Sequence, residues 1–268
     1  MKYILSIITI LLLLPSTSYA VDNNVVRLST SSSLSGSGLT DLLIPAFKKA
    51  SGYDLMVYPV GSGRAIRMGR LGQADVVIAH PSKQATAAME AGDFQLRVEL
   101  MKNNFVLVGP ANYPAGIKGS TSVAEAFNKI SKQQSLFVSR ADNSGNHNTE
   151  MKVWKAANLT PGGHWYRETG ERMLPALAEA DKINAYLVID YGSWLKNRKQ
   201  TSLVLMVEGD PILANPYDLI ATSDNSHPGL INHKGKRRFL DWILSGEGRS
   251  IISNMEIDGQ KLYQLSQP

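Results

Sequence analysis

Three times in succession, early in this chain, a short apolar strand pattern runs into glycine and hydroxyl residues and then into a helical stripe. The first strand pattern covers 25–29 and leads into Thr30-Ser31-Ser32-Ser33-Leu34-Ser35-Gly36-Ser37-Gly38. A helix is predicted over 39–51, where Leu42, Leu43, Ile44, Phe47 and Ala50 form one apolar face and Gly52 stops it. Strand 55–60, the loop Gly61-Ser62-Gly63 and helix 64–71 repeat the arrangement; strand 74–79 and helix 82–91 repeat it again. Consecutive βα units make a parallel sheet, and such sheets bind ligands beyond the carboxyl ends of their strands. The serines and threonine of the first two loops fall at that edge.

The same logic recurs at Phe137-Val138-Ser139-Arg140-Ala141-Asp142-Asn143-Ser144-Gly145-Asn146-His147. A buried strand over 136–139 ends at a permanent positive charge, Arg140, just ahead of a helix predicted to begin near Ser144 or Gly145. The first N–H groups of a helix have no partner inside it, and the macrodipole leaves partial positive charge there. Gly145 lets a ligand approach that backbone, so the place suits an anion.

Between these regions the period breaks at Gly109-Pro110 and Pro114-Ala115-Gly116, and it breaks again at Glu208-Gly209-Asp210-Pro211. Two breaks, with 43% hydrophobic residues over 268 positions to fill two cores, predict two lobes joined by two hinge crossings. Lobe 1 is expected at 21–109 and 209–268, and lobe 2 at 110–208. The second lobe is predicted to hold helices at 122–130, 172–180 and 191–196 and strands at 185–189 and 203–207. A strand at 217–222 and helices at 236–244 and 247–255 complete the first. The basic run from Lys234 to Arg238 is expected on a solvated helix face.

Residues 1–20 are read separately. Lys2, an apolar run over 4–14, Pro15 and Ser18-Tyr19-Ala20 have the form of a secretory signal peptide cleaved after Ala20. The run is too short for a membrane anchor, which needs about 20 residues. The chain contains no cysteine, which removes disulfides, thiolate metal sites and an N-terminal lipid attachment. A periplasmic address follows as the expectation. Net charge of +5 suits an anionic ligand and is too weak a signal for nucleic acid.

The candidate binding groups are Thr30, Ser31, Ser32, Ser33, Ser62, Gly63, Arg140, Ser144, Gly145 and Asn146, nearly all donors. A donor-rich cage fits a tetrahedral dianion. These segments resemble the periplasmic tungstate-binding proteins of ABC importers, within the type II solute-binding fold. The resemblance rests on Thr30 to Ser33 with Ser37-Gly38-Leu39 and on Val60-Gly61-Ser62-Gly63 with Ala65. It rests further on Ala74-Asp75-Val76 with His80, Phe137 to Arg140, Asp142 to Gly145 with His147, and Val207 to Leu213. It implies an α/β, two-lobed type II periplasmic binding protein, each lobe a mainly parallel sheet flanked by helices. It also implies tungstate as ligand, an inner-membrane permease as partner, a monomer and no cofactor.

The family has threonines where this chain has Ser31, Ser32 and Asn146, exchanges that keep a donor and bear on the choice among anions. Molybdate or phosphate in the same site is the alternative, with Asp142 read as a helix cap or as the partner that orients Arg140. A secreted serine hydrolase built on Ser144 and His147 is the other alternative. It is disfavoured because the two lie one helical turn apart, with no Gly-x-Ser-x-Gly elbow and no independent third group. The five histidines show no metal-ligand spacing, and the four tryptophans are expected in the cores.

Overall fold

The computed structural model describes residues 24–266, so the expected signal peptide at 1–20 lies outside the described residues. Strands β1 (Val25–Ser31), β2 (Asp54–Val60) and β3 (Val76–Ala79) lie parallel in the order β2-β1-β3, as consecutive βα units require. The hydroxyl-rich stretch after β1, expected as a loop, is a short helix, α1 (Ser32–Ser37). Ser31 caps it by accepting the Leu34 N–H at 3.3 Å, and burial of Leu34 holds it on the core. Gly38 at φ 93° turns the chain directly into α2 (Leu39–Ser51), a left-handed corner that disfavours any side chain. Helix α3 (Ser62–Arg70) takes Ser62 and Gly63 into its first turn instead of leaving them in a loop, and α4 (Lys83–Glu90) follows β3.

Strand β4 (Phe94–Gly109) begins earlier than its apolar pattern does. The elements that follow are α5 (Val123–Lys132), β5 (Phe137–Ser139), α6 (Gly145–Ala156), β6 (Tyr166–Glu168) and α7 (Met173–Lys182). Next come β7 (Leu187–Asp190), α8 (Tyr191–Asn197), β8 (Val204–Val207) and β9 (Ala214–Thr222). Helices α9 (His233–Leu244) and α10 (Glu247–Ser253), the hairpin β10 (Glu256–Ile257) with β11 (Gln260–Lys261), and β12 (Gln264–Leu265) end the described chain.

The first sheet has the order β2-β1-β3-β9-β4-β12, with β9 antiparallel to both its neighbours. From Phe94 to Asn104, β4 pairs with β9; from Phe105 to Gly109 it pairs with β7 and β8. The change of partner therefore falls inside one unbroken strand, ahead of the expected crossing at Gly109-Pro110. Beyond it, β5 pairs parallel with β6 and bridges to Tyr186 beside β7.

Separate cores lie on the two sides of that change. One is centred on Phe47, Phe239 and Trp242, with a smaller cluster of Ala65, Ile66, Val77 and Phe94 beneath α3 and α4. On the other side Phe127, Phe137 and Trp154 pack with Phe127 and Trp154 ring centroids 4.2 Å apart, and Val106, Val108, Leu187 and Ile189 form a second layer. Each such side chain contributes about 1.5–3 kcal/mol on burial. All four tryptophans are buried. The basic run is not wholly solvated: Lys236 is 1% exposed and its Nζ donates to the Thr222 carbonyl at 2.6 Å and to Asp224. Its aliphatic stem fills the α9 face while the ammonium is neutralised at the edge of the core.

Candidate functional site

Both lobes bring the carboxyl ends of their strands to one cleft of about 520 Å³. Ser31, Ser32 and Ser33 enter it from the end of β1, Ser62 and Gly63 from the start of α3, and Arg140, Ser144, Gly145 and Asn146 from the β5–α6 connection. Nine of the ten expected residues are thus together. Thr30 is not: it is fully buried and its Oγ1 donates to the Ile78 carbonyl at 2.8 Å, tying β1 to β3 behind the cleft. Strand alternation explains it, since Thr30 and Ser31 point to opposite faces.

Two helices of opposite lobes start at this cleft. In α3 the first intrahelical bond runs from the Ala65 N–H to the Gly61 carbonyl, so the N–H groups of Ser62, Gly63 and Arg64 have no acceptor within the helix. In α6 the Ser144 Oγ accepts the His147 N–H at 3.4 Å, which leaves the Gly145 and Asn146 N–H groups at the free end. Two positive dipole ends converging on one cavity favour an anion by about 0.3–1 kcal/mol each.

Arg140 is held from two directions. Its Nε donates to the Glu171 carbonyl at 3.3 Å and one Nη2 hydrogen to Asp142 Oδ2, which leaves three of the five guanidinium donors uncommitted. The side chain is 14% exposed, so the charge is only partly hydrated. Asp142 orients, while the cap of α6 is Ser144: Asp142 Oδ1 accepts the Ser144 N–H at 3.1 Å in the turn before the helix, and Oδ2 holds Arg140. Burial alone would raise its carboxyl, but the hydrogen bonds from Ser144 and the Arg140 charge hold it below the usual carboxylate range. The turn that brings Arg140 and Asp142 together puts Ala141 at φ 48°, with its N–H bonded to Ser139 Oγ at 3.2 Å. A left-handed alanine is strained, and here the strain aims the guanidinium.

Ser33 Oγ lies 3.1 Å from Ser31 Oγ and 3.4 Å from the buried Tyr217 hydroxyl. Tyr217 is reached in turn by Asn215 Nδ2 at 3.4 Å, and Asn215 also donates to Asn103 Oδ1 at 2.7 Å. Asn103 and Asn215 face each other in β4 and β9, one residue from where β4 changes partner. A polar chain thus joins the hinge strands to the cleft hydroxyls.

Several lining groups are not among the expected binding residues. They are His80 at the end of β3, Arg64, Ser82, Asn143, Asn148, Phe105, and Asp190 at the end of β7. Asp190 caps α8 through the Ser193 N–H at 2.9 Å. His80 lies one step past β3, Asp190 ends β7, and Arg64 and Asn148 fall in the first turns of α3 and α6, positions that single residues do not announce.

Ser144 and His147 do not form a nucleophile–base pair: Ser144 Oγ serves as the cap of α6, and His147 Nδ1 accepts the Asn143 N–H at 3.1 Å.

A PBP superfamily domain matches residues 17–247. A tungstate-binding protein of Peptoclostridium acidaminophilum is 38% identical over 229 residues, spanning 85% of this chain and 80% of that protein. Among solved structures, the tungstate-binding protein of Desulfovibrio alaskensis G20 superposes with a TM-score of 0.83 at 33% identity, covering 91% of this chain and 99% of that one. The tungstate ABC transporter structure from Geobacter sulfurreducens gives a TM-score of 0.76 at 34% identity, covering 86% and 98%.

Proposed function

The chain belongs to the tungstate-binding proteins of the PBP superfamily, and from that premise we propose that it captures tungstate in the cleft described above and presents it to an ABC import permease. It is a transport receptor, not an enzyme. The observation that carries the reading is the convergence of two free helix starts, the Ser31–Ser33 hydroxyls and Arg140 on one cavity from opposite lobes.

The ligand set is Ser31, Ser32, Ser33, Ser62, Gly63, Arg140, Ser144, Gly145 and Asn146, with Thr30 as the brace behind them. Six to eight donors at roughly 1.5 kcal/mol each give a gross gain near 10 kcal/mol. After ordering costs this corresponds to micromolar to nanomolar affinity. The lobes are residues 24–104 with 214–266, and 105–213, hinged where β4 changes partner and where Leu213 gives way to β9. The leader at 1–20, cut after Ala20, delivers it to the periplasm.

Isothermal titration with tungstate, molybdate, sulfate and phosphate tests the reading. Tight binding of tungstate with sulfate and phosphate much weaker is expected, and no heat with any of the four would refute it.

A further inference from the structure

His80 projects into the cleft from the end of β3, and it belongs to no part of the ligand set proposed above. Its ring packs on Tyr217 with centroids 4.3 Å apart. Its Nδ1 lies 3.0 Å from the Pro216 carbonyl, an oxygen that can only accept, so Nδ1 carries the hydrogen. Across the cleft stands the start of α6: a Cβ placed on Gly145 would sit 3.8 Å from His80 Nε2 and 3.5 Å from Cδ2. The Nε2 edge of the ring therefore faces the helix end where the anion is held. In the neutral ring that edge is a lone pair.

Other acceptors share the cavity. Asn146 donates through Nδ2 to the Val188 carbonyl at 2.9 Å, which fixes its amide, and its buried Oδ1 has no partner. Asp190 presents a carboxylate. A dianion entering among three acceptors gains from each only if hydrogen arrives with it.

We propose that His80 contacts the bound oxyanion through Nε2–H, and that, because its Nδ1 hydrogen is committed to Pro216, the receptor takes up one proton with each anion. The proton comes from hydronium or buffer acid in the solvent, whose bond to it breaks as the Nε2–H bond forms; no bond within the protein or the anion is broken. This rests on the oxyanion reading of the cleft. In the free protein, burial holds the imidazole below the ordinary histidine value against the raising effects of the Pro216 carbonyl, Asp190 at the end of β7 and Asp218 from β9. Asp218 is partly neutralised by Arg97 at 2.6 Å. Lys152 of α6 acts in the lowering direction, and Arg64 and Arg140 also line the cavity. A dianion against Nε2 reverses the balance, so the ring titrates at higher pH when anion is bound. Between the free and bound values each binding event consumes a proton, and affinity rises as pH falls, by at most about tenfold per pH unit.

The test is calorimetry with sodium tungstate in buffers of different ionisation enthalpy, from about pH 8.5 to about pH 6.5, on the wild type and His80→Asn. Asparagine keeps an N–H for Pro216 but cannot be protonated. Proton uptake in the wild type, with uptake and pH dependence abolished in His80→Asn, supports the proposal. Normal tungstate binding without uptake, or equal uptake in both proteins, overturns it while the receptor reading stands. Absence of any tungstate heat in the wild type removes both. The His80 imidazole resonances of the wild type, titrated with and without tungstate, decide the point without a variant: an unmoved midpoint refutes it.

Discussion

Arg140 shows how much of the site depends on single residues. Two tethers fix its guanidinium, and three donors remain for a ligand. Arg140→Ala is expected to weaken tungstate binding by about 3–5 kcal/mol, more than a hundredfold, since a desolvated dianion would lose its orienting countercharge. Arg140→Lys recovers only part, because an ammonium cannot hold both tethers and the ligand. Titration calorimetry reads both, and an unchanged affinity would place the ligand elsewhere. Deeper in the same lobe, Glu150 is fully buried and accepts from Ser139 Oγ, Trp154 Nε1 and Tyr166 Oη. Burial raises it from 4.5 to about 7 despite these donors. The folded state then holds more protons than the unfolded one between those values, so stability falls as pH rises from about 4.5 through about 7. The loss is at most about 3 kcal/mol. Denaturant unfolding of wild type and Glu150→Gln across that range should show the wild type losing ground with rising pH; parallel profiles would contradict it.

At the scale of elements, the tightest constraint is the end of β4. A Cβ on Gly109 would meet the buried Tyr186 ring at 2.2 Å, and Tyr186 Oη accepts the Ala115 N–H at 3.1 Å. Gly109→Ala should therefore destabilise the protein by about 1–3 kcal/mol in denaturant unfolding. A shift within about 0.5 kcal/mol would show that the ring yields. Periodicity made α2, α5 and α7 and the parallel strands β1 to β3 legible, because their apolar faces repeat at the period of the element. It did not reveal α1, whose serines read as a loop until Leu34 and the Ser31 cap are seen in place. Nor did it reveal β6, whose three residues are half-buried or exposed and pair with a strand far away in sequence. The change of partner in β4 is silent for a related reason: it falls at Asn104–Phe105, where no glycine or proline marks it. The donors of the cleft were visible as strand-end hydroxyls, glycines and Arg140. Asp190 was not, and His80, noted only as part of the family pattern, was not assigned to the cleft, because only tertiary packing makes them neighbours of those donors.

For the whole molecule, what matters is that the site is shared between lobes. Lys196 Nζ of α8 donates to the Gly36 carbonyl of α1 at 2.5 Å, and Arg198 and Lys199 reach Asp258 beside the β10–β11 hairpin. These exposed links are too weak to fix the lobes by themselves. Ligand bridging α3 and α6 supplies the differential contact that favours a closed arrangement. Tungstate should therefore reduce the radius of gyration in solution scattering, and Arg140→Ala should blunt the change; identical profiles with and without ligand would argue against closure. The most direct measurement of all is a crystal structure with tungstate, located by the anomalous scattering of tungsten. The expected result is a single tungsten between the α3 and α6 starts, its oxygens about 2.7–3.2 Å from Arg140, the Ser31–Ser33 hydroxyls and the N–H groups of Gly63 and Gly145. Tungsten bound outside this cleft, or touching only one lobe, would contradict the account.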